Sequence, residues 1–233
     1  ALGAALYKRS NRKKGIVVAN CGDGACGRGP VLESFNFASM DQITQLWDGG
    51  KGEGMPILFN VFNNHYGMGG QTRGETMGYD MAARLGAGFN PTMMHAERVN
   101  GYDPLAVIDA VTRKKELLVN GKGPALLDVV TYRVSGHSPS DSSTYRTPEE
   151  IEAWKAADPI PAFKEKLIKG KIATESEIGA IDSSIIDRMT EVIKLAINDD
   201  ISPRMDLDKT PDAISSIMFS NQKVHSMDPT RTA

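Results

Sequence analysis

The sequence predicts a parallel α/β sheet with helices on its faces, and three observations carry that prediction. Segments order as strand, helix, strand, long link, strand, helix, strand. The strand candidates are short apolar runs rich in β-branched residues, as strands buried within a sheet are. The helix candidates open and close on capping residues.

The elements follow in chain order. Residues 1–8 read as a helix already under way at the first position. Residues 15–20 (GIVVAN) read as a buried strand, and residues 21–30 as a glycine-rich turn. Residues 31–47 are helix-like, with Leu32, Phe35, Ile43 and Leu46 on an irregular apolar face. Residues 48–54 are a loop by composition. Residues 56–62 (PILFNVF) form a second strand, and residues 63–78 are polar, glycine-rich and irregular. Residues 96–99 read as a short strand. Asp103-Pro104 then supplies an N-cap and a proline at the first helical position, for a helix running to Asn120 and stopped by Gly121. Residues 124–132 hold a fourth strand, and residues 133–145 a Ser/Gly/Pro-rich loop. Thr147-Pro148 restarts helix, and Thr174-x-x-Glu177 is a capping box opening a long helix to about residue 198. The sequence thus divides into residues 1–200, with a helical extension over 147–200, and a polar tail over 201–233.

Composition bounds the function. The 27 Lys and Arg against 29 Asp and Glu of this 233-residue chain leave a net charge of −2, which argues against a nucleic-acid partner. No apolar run approaches the roughly 20 residues needed to span a bilayer, so no membrane role is expected. The only two cysteines, Cys21 and Cys26, exclude a disulfide framework and a four-cysteine zinc site, and suit a reducing compartment.

In a sheet of this class, ligands bind in loops beyond the carboxyl ends of the strands. Those loops are residues 21–30, 63–70 and 133–145. In the first, Gly22, Gly24 and Gly27 satisfy the G-x-G-x-x-G pattern of a dinucleotide site. Asp23 argues against that reading, because a carboxylate in the turn would repel a pyrophosphate. With a divalent cation between them the carboxylate becomes useful, since Mg²⁺ takes about six oxygens and commonly one or two carboxylates plus phosphate oxygens. The second strand ends in Asn63-Asn64, not in the acid that would hold a ribose. An asparagine amide oxygen is another hard ligand. The alternative at these positions is a glycine turn with a solvated Asp23 and an Asx turn at Asn64.

Gly22-Asp23-Gly24 with Asn63-Asn64 resembles the thiamine-diphosphate motif. Further segments extend the match: Phe35-Asn-Phe-Ala38, Asn63-Asn-His-Tyr-Gly-Met-Gly69, Arg98-Val-Asn-Gly-Tyr-Asp103, Thr131-Tyr-Arg-Val-Ser-Gly-His-Ser-Pro-Ser-Asp141 and Tyr145-Arg146. Together they resemble the alpha subunit of the 2-oxo acid dehydrogenases, a group that includes pyruvate, branched-chain and acetoin enzymes. The resemblance covers most of residues 1–200. It implies the thiamine-diphosphate-binding fold, with thiamine diphosphate and Mg²⁺ as cofactors. It also implies a beta subunit in an alpha2–beta2 assembly and a lipoyl-bearing acyltransferase as partners. The implied reaction is oxidative decarboxylation of a 2-oxo acid, or acetoin cleavage, with acyl transfer to the lipoyl group. The alternatives are another thiamine-diphosphate enzyme and a non-catalytic assembly subunit that keeps the fold. The location implied is the bacterial cytoplasm, or the mitochondrial matrix in a eukaryote.

Carried over by position, the resemblance makes Asp23 and Asn64 side-chain ligands of Mg²⁺, with Tyr66 adding its backbone carbonyl. Gly24 and Ala25 would offer backbone N–H groups to the diphosphate. Arg133 and His137 match the loop that closes over the cofactor, His137 with a proton-transfer or orienting role suited to an imidazole. Ser138 occupies a position phosphorylated in some eukaryotic relatives. The interval from Asp23 to Asn64 is longer than usual for the motif, and the excess is assigned to residues 41–54, where a loop absorbs an insertion at modest entropic cost. The family pattern also begins before residue 1. A Tyr-Arg pair that grips the diphosphate is expected from a preceding portion, removed or supplied as a separate polypeptide.

Overall fold

The computed structural model describes residues 1–44 and 52–217. Residues 45–51 and 218–233 lie outside the described residues. With them go the end of the helix expected over 31–47, part of the insertion assigned to 41–54, and half of the expected tail.

Four parallel strands form one sheet in the order β1-β2-β4-β3. They are β1 (Val17–Gly22), β2 (Ile57–Asn63), β3 (His95–Asn100) and β4 (Ala125–Val130). Each lies within three residues of its expected position. The central strands β2 and β4 are the most apolar and the most buried, as the near-continuous apolar runs require.

The two-residue period of a strand assigns side chains to opposite layers. Ile57, Phe59, Val61 and Leu126 point to one face and pack with Phe35, Ala38, Met94 and Ala82. These come chiefly from α3 (Gly29–Ser39) and α5 (Ala82–Phe89). Phe35 meets Phe59 edge-on at 4.8 Å between centroids. Leu58, Ala125, Leu127 and Val129 point the other way and pack with Ala110 and Leu118 of α6 (Pro104–Val119). α1 (Leu2–Ser10) buries Ala5 in the first cluster.

The caps act as read. The Asp103 carboxylate accepts the Leu105 and Ala106 amides. Gly121 sits at φ +71° after the helix ends, a left-handed conformation that favours glycine. The Thr147 hydroxyl caps α7 (Pro148–Ala156). Thr174 and Glu177 form a reciprocal capping box at the start of α9 (Glu175–Ala196).

Three helices lie outside the sequence expectation. α2 (Asp23–Cys26) is one turn inside the glycine-rich segment. α5 occupies a stretch with no expected element. α10 (Ala213–Ile217) interrupts the polar tail. α8 (Pro159–Lys169) follows α7 within the expected helical extension. The helix expected from residue 31 starts two residues earlier and breaks at Met40, whose ψ of 136° is extended. α4 (Asp41–Thr44) follows the break.

By contact the chain divides into two compact units, Ala1–Leu167 and the residues from Ile168 onward. The division falls within α8. Within the second unit, α9 buries none of its residues. Its Ile181, Ile185, Met189 and Val192 are exposed along one side. Among the described residues, no helix is long and apolar enough to cross a membrane.

Candidate cofactor site

All four strands point their carboxyl ends the same way, and the unusual residues collect there. β1 ends at Gly22 and the chain turns at once into α2, which puts Asp23 at the seam. Its side chain is 1% exposed. Oδ2 accepts the His65 amide at 2.7 Å and the Thr72 hydroxyl at 3.0 Å, while Oδ1 accepts the Gly24 amide at 2.9 Å. Burial pushes the carboxyl above its usual range, against the pull of those three donors. No lysine or arginine is among these contacts.

β2 ends at Asn63, and Asn64 begins a turn. Its side-chain oxygen accepts the Tyr66 amide at 3.1 Å, which is the Asx turn weighed as the alternative at that position. His65 takes φ +68°. The turn closes through the Gly67 amide on the Gly70 carbonyl and the Thr72 amide on the His65 carbonyl. These two bonds use the neighbours of Tyr66 and not its own carbonyl. A Cβ on Gly24 would come within 3.4 Å of Thr72 and 3.6 Å of Gly67. The start of α2 thus packs within van der Waals reach of this turn.

A buried polar joint links β2 and β4. Asn63 Nδ2 donates to Asp128 Oδ1 at 2.9 Å and to the Asp80 carbonyl at 3.1 Å. Asp128 is wholly buried on the central strand β4. Its Oδ2 accepts the Ala83 amide and lies 3.6 Å from Arg98 Nε.

The third loop, residues 131–146, hangs from one arginine. Arg146 is 7% exposed. Its guanidinium lies 5.3–5.6 Å from the ring centroids of Tyr66, Tyr132 and Tyr145, within cation–π range. It donates to the Arg133 carbonyl and to Ser143 Oγ. Tyr132 stacks on Trp154 of α7 at 4.9 Å and 7°. The Tyr66 hydroxyl donates to Glu150 Oε1 at 2.6 Å. Burial and that glutamate raise the Tyr66 phenol above its ordinary value. Within the loop, Asp141 accepts the His137 amide, the Ser143 amide and the Tyr145 hydroxyl, and these bonds hold its carboxyl at about 2. Gly136 leaves room for this clasp, since a Cβ there would sit 2.8 Å from the Asp141 carbonyl.

The predicted site residues therefore divide into two groups. Asp23, Gly24, Asn64 and Tyr66 lie on two adjoining turns linked through the Asp23 carboxylate, with Ala25 next in α2. Arg133 and His137 lie on the loop joined to those turns through Arg146 and Tyr66. The Arg133 Nε is buried with no hydrogen-bond partner. The His137 side chain is exposed, and its bond to Asp141 runs through the backbone. Ser138 Oγ is 3.0 Å from Ser140 Oγ at the loop surface.

Thr72, Asp128, Arg146 and Glu150 were not singled out from the sequence as site residues. Thr72 and Asp128 carry no local signal: one threonine in a polar stretch, one carboxylate in an apolar run. Arg146 stands in the Tyr145-Arg146 pair, but its role also needs Tyr66 and Tyr132 from other segments.

The arrangement suits a ligand that brings both a hard cation and an anion. A desolvated carboxylate, an amide oxygen and a main-chain carbonyl are oxygen donors of the kind Mg²⁺ takes. Among the described residues, no group of three or more His, Cys, Asp or Glu could hold a metal by itself. A cation here would need oxygens from its ligand.

A parallel sheet whose carboxyl-end loops carry these groups has the layout of the open α/β class, in which ligands bind at the strand ends. Comparison with known proteins narrows the class. A family model described as "Dehydrogenase E1 component" matches residues 1–203, and the chain belongs to that family. Membership implies thiamine diphosphate as the cofactor. The probable pyruvate dehydrogenase E1 component subunit alpha, mitochondrial, of Caenorhabditis elegans is 35% identical over 94% of this chain and 49% of its own length. The corresponding mitochondrial subunit of Saccharomyces cerevisiae is 37% identical over 86% and 42%. The pyruvate dehydrogenase E1 component subunit alpha of Rickettsia bellii is 30% identical over 84% and 55%. The chain spans about half the length of the curated relatives it matches.

Proposed function

We propose that this chain is the cofactor-holding part of the alpha subunit of a 2-oxo acid dehydrogenase first component. It would act in oxidative decarboxylation of a 2-oxo acid, or acetoin cleavage, with acyl transfer to a lipoyl carrier. The observation that carries the reading is Asp23, a buried carboxylate at the end of β1 clasped by the His65 amide and the Thr72 hydroxyl from beyond β2.

Asp23, the Asn64 amide oxygen and the Tyr66 carbonyl would hold Mg²⁺. The Gly24 and Ala25 amides and Arg133 would hold the diphosphate. Asn64 Oδ1 would give up its Asx-turn bond to serve the metal, and the Gly24 amide would exchange Asp23 for phosphate. Thiamine diphosphate, when bound, supplies the carbon chemistry of decarboxylation, while the protein binds and orients it. The exposed His137 imidazole would hold or move a proton at the mouth of the site, its backbone fixed by Asp141. Ser138, two bonds of loop away from that clasp, is the candidate switch, since a phosphate there adds about −1.5 to −2 charge beside a diphosphate.

The partners in this reading are a beta subunit in an alpha2–beta2 assembly and a lipoyl-bearing acyltransferase. The location is the bacterial cytoplasm or the mitochondrial matrix. Relatives named mitochondrial and a bacterial relative are both at hand.

Isothermal titration of the assembled protein with thiamine diphosphate and Mg²⁺ tests the reading. Saturable, Mg²⁺-dependent binding that Asp23→Ala abolishes is expected. Absence of binding in a correctly assembled complex would favour a scaffold subunit, and unchanged affinity in the variant would overturn the ligand assignment.

A further inference from the structure

The only two cysteines of the chain bracket the Gly22-Asp23-Gly24-Ala25 turn. Both are free thiols. Cys21 lies near the end of β1, and the single turn of α2 brings Cys26 back over the strand end. Both pack into the same apolar cluster, and Cys26 Sγ donates to the Gly22 carbonyl at 3.7 Å, which sets its sulfur beside the residue that follows Cys21. Cys26 is wholly buried, whereas Cys21 is partly exposed. Cys21 is therefore the more accessible thiol and Cys26 the enclosed one.

We propose that Cys21 and Cys26 form a dithiol modification site whose oxidant is a hydroperoxide and whose product is an intramolecular disulfide around Asp23. The Cys21 sulfur attacks the peroxide: an S–O bond forms, the O–O bond breaks, and an alcohol or water leaves. The Cys26 sulfur then displaces hydroxide from that sulfenic acid. The S–S bond forms, the S–O bond breaks, and the Cys26 proton leaves with the hydroxide as water. Two electrons pass from the thiol pair to the peroxide, and a dithiol reductant returns them.

Bond formation draws the two free sulfurs to about 2.05 Å, so the four residues between them must shift. Asp23 is one of the four, and its carboxylate is held from outside the turn by His65 and Thr72. Misplacement by about 1 Å is enough to cost a positioned group much of its effect. The consequence for the cofactor rests on the proposed thiamine-diphosphate reading; the disulfide itself does not.

The test treats the full chain, folded, with hydrogen peroxide and then with an alkylating reagent. Cleavage after lysine and arginine leaves both cysteines in one peptide, residues 15–28. Expected is loss of two hydrogens from that peptide, resistance to alkylation, reversal by dithiothreitol, and faster closure than in the urea-unfolded chain. Cys26→Ser should stop at the sulfenic acid. Two alkylated thiols after peroxide, sulfinic or sulfonic acids at both positions, or cross-linked dimers would overturn the site. Calorimetry then reads the coupling: at least tenfold weaker binding of thiamine diphosphate with Mg²⁺ in the oxidised chain, restored by dithiothreitol. Equal affinity in the two forms would overturn the coupling. Failure of the reduced chain to bind would count against the cofactor reading alone, because the peptide mass reports the disulfide independently.

Discussion

The amide of His65 donates to Asp23 Oδ2 at 2.7 Å, and this one bond ties the turn after β2 to the carboxylate that follows β1. Thr72 adds its hydroxyl to the same oxygen from the far side of the turn. The strands of a parallel sheet hold their carboxyl ends side by side, so a side chain just past one strand can take a backbone donor just past the next. The pairing Gly22↔Phe62 sets that register.

Thr72→Val keeps the shape of the side chain and removes the hydroxyl donor to Asp23. A buried hydrogen bond to a charged group contributes about 1.5–3 kcal/mol. The variant should lose about 2 kcal/mol in urea unfolding and bind Mg²⁺-thiamine diphosphate more weakly. A variant of unchanged stability would mean that the clasp does not hold Asp23.

Asp128→Ala should destabilise by about 3 kcal/mol, because removing one member of a buried polar joint strands the others. It would leave Asn63 and the Ala83 amide without their acceptor and Arg98 without its counter-charge. Chemical denaturation measures the loss. Hydrogen exchange should show it spreading to the end of β2.

Arg146→Lys should behave much like Arg146→Met. A planar guanidinium can face three rings while donating to two acceptors, and an ammonium cannot. Both variants should lose about 2 kcal/mol and free the 131–146 loop to limited proteolysis, while β1–β4 stay protected. Rescue by lysine would show that charge alone suffices.

Acid should loosen the same loop. The Asp141 carboxyl is held at about 2 in the folded chain, against 3.8 for an unperturbed group, chiefly by the His137 amide and then by Tyr145 and Ser143. A depressed folded value means that the clasp is fully present above about pH 4 and is lost as pH falls through 2. Proton exchange at the His137 amide should rise over that window, and Asp141→Asn should show the faster exchange already at neutral pH.

The order of elements and the parallel sheet were legible along the chain, because strand burial and helix capping leave local marks. Apolar runs at residues 57–61 and 125–130, Pro104 behind Asp103, and the Thr174–Glu177 box each act within a few residues of themselves. Asp23 and Asn64 stood out for the same reason: a carboxylate between glycines and an asparagine at a strand end are odd where they stand. Local marks do not carry distance, however. The grip of Thr72 on Asp23, the joint of Asn63 with Asp128, and the cage that Tyr66 and Tyr132 complete about Arg146 all depend on partners many residues away. Only when the sheet sets β1 beside β2, and β2 beside β4, do those side chains meet.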